Sequence, residues 1–141
     1  MIEGLGYGFN VVPIAAGTLI SMKDCAGITW VCTGADTFTL KSAASYNGTA
    51  TALAAIERYY SNTSTAGAAQ WTDSGDLGTL VSAVTIASGA VCFYTDQSDL
   101  PAGAEYAEVT VAASGLVMAI LHNLKVQRTP KNLRVLSGSS S

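Results

Sequence analysis

His122 is the one imidazole in a chain of 141 residues, and imidazole is the side chain that most readily moves protons near neutral pH. A general base also needs a group to orient it and a nucleophile or substrate proton within reach, and no local Ser or Cys motif supplies either. His122 is therefore read as a packed or interface histidine, and the chain as one without enzymatic activity. Cys25, Cys32 and Cys92 are odd in number and contain no C-x-x-C pair, which argues against a disulfide framework. With a single histidine and no finger-like cysteine spacing, zinc is not expected either. Asp73 with Asp76, and Asp96 with Asp99, form two loop pairs that a hard cation could use, but the dense Asp/Asn pattern of a calcium loop is missing. Gly4, Gly6 and Gly8 lack the preceding strand and the Gly-Lys-Ser/Thr of a phosphate loop. No cofactor or metal is expected. Tyr7, Tyr46, Tyr59, Tyr94 and Tyr106 could stack sugars or bases, although core edges and subunit contacts explain them as well.

Charge is distributed in a way that suggests contacts rather than chemistry. Residues 1 to 124 hold three basic residues, Lys23, Lys41 and Arg58, against all ten acids, a net of minus seven. Lys125, Arg128, Lys131 and Arg134 make the last seventeen residues plus four. An arm of that sign can dock on an acidic neighbour. Four cations on an acidic body are a weak footprint for nucleic acid, which is not expected as a partner. Only 12% of the residues are charged, against about 25% in ordinary soluble domains, so part of the surface is expected to be covered in the working state.

The elements that must position these groups are read from periodicity. Residues 1 to 8 form a glycine-rich leader, 9 to 126 a single β-rich domain, and 127 to 141 a basic and then Ser/Gly-rich arm. The first residues lack the basic start and apolar core of a secretion signal, so synthesis in the cytoplasm is expected, and no apolar run approaches the roughly 18 to 20 residues of a membrane span. Residues 9 to 14 read as an edge strand because of Pro13. Residues 28 to 33 and 37 to 41 both alternate and look like a hairpin across Gly34-Ala35-Asp36. Residues 49 to 60 carry Leu53, Ile56 and Tyr60 at helical spacing among alanines, which predicts one short helix. Four strands follow, at 80 to 86, 91 to 95, 105 to 111 and 116 to 126, with turns every eight to twelve residues. The expected fold is mainly β, an antiparallel sandwich or barrel-like domain with that helix and extended termini. Its core should contain Trp30, Phe38, Leu40, Ile56, Val84, Ile86, Val91, Val109, Val117 and Ile120, with residues 116 to 121 apolar on both faces and central.

Leu100-Pro-Ala-Gly-Ala-Glu-Tyr106 resembles the tyrosine corner of immunoglobulin-like sandwiches, with Val109 one place later than that pattern has its apolar residue. Four further segments, Gly6-Tyr-Gly-Phe-Asn-Val-Val-Pro13, Trp30 to Leu40, Ile56-Glu-Arg-Tyr-Tyr60 and Gly115 to Leu133, resemble small virion proteins of tailed bacteriophages. The resemblance implies a capsid decoration or cement protein, on the outside of the major capsid lattice, with the major capsid protein as partner and a homo-oligomeric state such as a trimer. It implies residence in the virion and no membrane partner. Contacts are assigned to Lys125, Arg128, Lys131 and Arg134 and to Tyr7 and Phe9. A tail or head-completion protein and a surface-displayed sandwich that binds host carbohydrate are the alternatives.

Overall fold

A computed structural model describes residues 5, 6, 8 to 23 and 25 to 125. Eleven strands form two antiparallel sheets packed face to face. In chain order they are β1 (Phe9–Val12), β2 (Ile20–Ser21), β3 (Gly27–Thr33), β4 (Asp36–Ala43), β5 (Thr51–Ala52), β6 (Tyr60–Asn62), β7 (Thr72–Asp73), β8 (Ala83–Ile86), β9 (Ala90–Asp96), β10 (Tyr106–Val111) and β11 (Leu116–His122). The first sheet runs β1-β11-β3-β9-β6-β7 and the second β2-β10-β4-β5, with β8 also paired to β4. β1 is an edge strand, as Pro13 requires.

Alternation sets the inner faces. Ile28, Trp30 and Cys32 of β3, Phe38 and Leu40 of β4, Val91 and Phe93 of β9, Ala107 and Val109 of β10, and Val117, Ala119 and Leu121 of β11 fill one core. Trp30 is buried without cost to its indole N–H, which donates to the buried Thr95 hydroxyl at 3.0 Å. Eight of the ten expected core residues are buried, but Ile86 and Ile120 are only half-buried. Ile120 follows the phase of Leu116 and Met118, whose side chains point away from the core, so β11 is apolar on its outer side although no third layer of described residues covers it.

Two local expectations are overturned. Residues 27–33 and 36–43 are not a hairpin: β3 pairs with β9 and β11, whereas β4 pairs with β10, β5 and β8. Both strands bury alternate residues in the same core, and Gly34 and Ala35 carry the chain across it, so the two inner faces meet instead of lying side by side. Alternation is the same in either geometry. The helix expected over 49 to 60 is also absent. β5 pairs with the end of β4, the Leu53 amide donates to the Leu40 carbonyl at 2.9 Å, and Ile56 exchanges both backbone hydrogen bonds with Val81 at 3.0 Å. A lone helix of this length is marginal in water, and here its amides are taken by strands whose edges would otherwise stay unpaired. Among the described residues the one helical element is the 3₁₀ turn Gln97–Asp99.

The β3–β4, β8–β9 and β10–β11 links all cross between sheets at the same end of the sandwich. The Gly34 amide donates to the Gly89 carbonyl at 3.0 Å, joining the first two. The Asp36 carboxylate joins the first to the third. Its Oδ1 accepts from the amides of Thr37 (2.7 Å), Ala112 (2.9 Å) and Ala113 (3.0 Å), and its Oδ2 from Ala113 (3.0 Å) and Gly115 (2.7 Å). Gly115 permits this approach because a Cβ there would sit 2.7 Å from the Phe38 ring and 2.9 Å from Asp36 Oδ2.

The phase of β11 yields a direct test. Leu121→Ala should cost about 2–5 kcal/mol in urea unfolding because it leaves a cavity in the core. The neighbouring Ile120→Ala should cost less than about 1.5 kcal/mol, since its methyl groups are already partly in water. The reverse order would mean that the strand faces the other way.

Candidate functional site

The outer side of the first sheet is the surface on which this chain departs most from an ordinary solvated face. Three rows cross it. In register, Phe9, His122, Gly27 and Asp96 form the first, Val11, Ile120, Thr29 and Tyr94 the second, and Met118, Val31, Cys92 and Tyr60 the third. Leu116 lies beyond, opposite Thr33. Antiparallel sheets that face water normally carry polar residues here. Instead Leu116 is 62% exposed, Met118 38% and Phe9 37%, and with Val11, Ile120 and Val31 they make one apolar half centred on β11.

The other half is a cleft of about 580 Å³ between β9 and the segments around Ala55–Arg58 and Leu80, lined by Tyr60, Tyr94, Cys92, Glu57, Arg58, Asp96 and Asp99 among others. Tyr94 leans from its own row across Gly27, the position in the next row that has no side chain. A Cβ on Gly27 would overlap the Tyr94 ring and hydroxyl, so glycine is what lets the ring lie close to the sheet. The His122 ring is 6.0 Å from the Tyr94 ring, and His122 Nε2 is 2.6 Å from the Thr29 hydroxyl. His122 thus sits half-buried on the outer face, packed against a threonine and a tyrosine.

The Tyr94 hydroxyl donates to Asp96 Oδ1 at 3.2 Å. Asp96 Oδ2 accepts from the Ser98 amide (3.0 Å) and hydroxyl (2.6 Å), while the Asp96 amide donates to Asp99 Oδ2 at 2.9 Å. This reciprocal capping box fixes the 3₁₀ turn. Hydrogen bonds from Ser98 hold the Asp96 carboxyl below its usual range, and partial burial, with the Asp96 bond second, pushes the Tyr94 phenol up. Arg58 lies 3.5 Å from Asp73, which also accepts from the Gly75 amide at 2.8 Å, and Asp76 accepts from the Gly78 amide at 2.9 Å. The four loop acids thus act as turn caps at two separate places.

Of the residues assigned to contacts from the sequence, Phe9 lies at the apolar edge opposite His122. Lys125 reaches the 3₁₀ turn, its Nζ donating to Gln97 Oε1 at 2.9 Å. Tyr7, Arg128, Lys131 and Arg134 lie outside the described residues. Among those tyrosines, Tyr94 and Tyr46 are exposed, Tyr46 pairing with Tyr106 at 6.4 Å, whereas Tyr59 packs against the core. Tyr60, hidden in the sequence behind the helical spacing, is the second ring of the cleft. The signal for the apolar half is the two-sided apolarity of residues 116 to 121. Cys25 and Cys32 are buried thiols, and Cys92 is half-buried on the outer face. Burial pushes the thiols of Cys32 and Cys92 up, which makes them poor nucleophiles. Comparison of the chain with protein-family models, with curated proteins and with solved structures finds no match.

The Tyr94 platform can be checked by titration. Its ring resonances should shift at a pH above the ordinary tyrosine value of about 10, and Gly27→Ala, which displaces the ring, should return the midpoint toward that value. The same midpoint in Gly27→Ala would show that the ring does not depend on the missing side chain.

Proposed function

We propose that the protein is a structural component of a tailed-phage virion, a decoration or cement protein that binds the outside of the capsid lattice and reinforces it. The observation that carries this reading is the uncovered apolar half of the first sheet, on a chain with 12% charged residues. Exposed contiguous apolar patches mark interaction surfaces, and one carried on paired strands suits repeated docking on a regular lattice. Each copy need bind only modestly, because a protein that spans adjacent capsomers, or that docks as a symmetric oligomer, gains avidity from the array. The reading assigns no reaction to the molecule. His122 then serves the surface by fixing Thr29 and flanking Tyr94 at its centre.

Sedimentation with empty tailed-phage heads tests this. The protein should pellet with shells and saturate at a fixed ratio to the major capsid protein. Leu116→Glu combined with Met118→Glu, both at exposed positions, should weaken pelleting at least about tenfold, because two charges would be desolvated in the contact, while the melting temperature changes little. Protein that stays in the supernatant at every concentration, or a double variant that pellets like the parent, would overturn the proposal.

A further inference from the structure

On the other side of the sandwich, the outer face of the second sheet holds a carboxylate that water does not reach. Ala107 and Val109 of β10 point into the core, so Tyr106, Glu108 and Thr110 point outward. Glu108 is nevertheless only 8% exposed. Residues 17 to 19 flank it on one side, held to β10 by the Gly17 amide, which donates to the Val109 carbonyl at 2.9 Å. The turn after β4 flanks it on the other, closed by the Gly48 amide, which donates to the Ser45 carbonyl at 3.0 Å. Among the described residues the Glu108 carboxylate accepts no hydrogen bond, and Lys41, its cross-strand partner in register, forms no ion pair with it. Burial pushes the carboxyl above its ordinary range, and the Lys41 charge offsets only part of that. A buried carboxylate without donors is costly. Unlike Asp36, this one caps no backbone amide among the described residues.

Glu108 faces a pocket of about 360 Å³ that Thr18, Tyr46 and Asn47 also line, a size within the roughly 300 to 1,000 Å³ of small-molecule sites. We infer that this pocket binds a single neutral sugar residue, with Glu108 accepting from two adjacent hydroxyls and the Tyr46 ring covering one face of the sugar. Charge decides among the ligand classes. Glu108 repels an anion. Lys41 stands beside it in the same register row, so a cation meets no net attraction, and calcium would find one carboxylate where its sites gather six to eight oxygens. A polyol asks for donors and acceptors together without net charge. The Glu108 oxygens accept, while the Thr18 hydroxyl and the Asn47 amide group can each donate and accept. Neither of those two side chains makes a hydrogen bond among the described residues. Hydroxyls that donate to a carboxylate form the stronger, charge-assisted kind of bond, which is what the buried acceptor lacks. The C–H face of a sugar ring suits Tyr46, which is 37% exposed and backed by the Tyr106 ring at 6.4 Å and a tilt of 57°.

This inference does not rest on the virion reading, and its test contains no capsid. The full chain is titrated with the methyl glycosides of glucose, galactose, mannose and N-acetylglucosamine while its amide resonances are followed by NMR. At least one glycoside should shift Thr18, Asn47 and Gly48 with a Kd of roughly millimolar, as expected of so small a ligand. Glu108→Gln should weaken that sugar about tenfold, because a neutral amide replaces the charged acceptor. Tyr46→Ala should weaken it about threefold or more through loss of the ring face. The melting temperature of Glu108→Gln should equal or exceed the parent's, since the carboxylate has no partner to lose. Four glycosides that leave these amides unmoved at about 50 mM, far above a millimolar Kd, would overturn the inference, as would a sugar that binds both variants as well as the parent. Calcium or spermidine that binds at Glu108 more tightly than every glycoside would assign the pocket to a cation and contradict it. A Glu108→Gln protein that melts well below the parent would show that the carboxylate serves the fold instead.

Discussion

The Asp36 carboxylate is the interaction on which the rest of the sandwich depends. Two facing sheets joined by short links must turn the chain through the core's end, where backbone amides lose their ladder partners and cannot be left buried and unpaired. Asp36 collects four amides at this end, the buried one of Gly115 among them, and three of the four come from the β10–β11 link on the far side of the core. A carboxylate is the side chain suited to this, because both its oxygens accept and its charge strengthens every bond. Burial raises its pKa, but the amides, led by Gly115, more than offset that and hold it below the ordinary carboxylate range.

What the clamp secures is the strand that carries the apolar half of the outer face. β11 begins at Leu116, one residue after Gly115, and carries Met118, Ile120 and His122 on its outer side. Fixing the entry to β11 fixes the register of the apolar half against β1 and β3. The cleft half is fixed separately, by the Asp96–Asp99 capping box and by the ring of Tyr94 lying over Gly27. The one face therefore has two parts with different supports, an apolar strip anchored by a carboxylate at one end of the sandwich and an aromatic, acidic cleft anchored by a turn near the other.

Much of the β architecture is legible in the sequence because alternation is a direct consequence of pleating. Ile28, Trp30 and Cys32 face inward as their spacing requires, and Pro13 marks β1 as an edge. What alternation lacks is the partner of each strand, so the arch at Gly34-Ala35 reads as a hairpin. Leu53 and Ile56 match a helical period because two buried residues three apart fit it by coincidence, and their amides are claimed by β4 and by Val81. The two-sided apolarity of residues 116 to 121 points to a central strand, but the outer face is apolar without being covered. The cleft is illegible for another reason: Tyr60, Tyr94 and Asp99 come from strands and a turn that only the sheet order brings together.

Hydrogen exchange and thermal unfolding of Asp36→Asn across pH test the clamp most directly. The amide nitrogen that this substitution introduces would face backbone donors in place of an acceptor. At neutral pH the variant should therefore melt below the parent, with faster exchange at Ala112, Ala113 and Gly115. Because the folded pKa of Asp36 is depressed, its contribution is complete above the unfolded value of about 3.9 and is lost as pH falls through the folded value. The gap between the two proteins should accordingly be constant at neutral pH and close in acid. Equal melting temperatures and equal exchange at neutral pH would contradict the account.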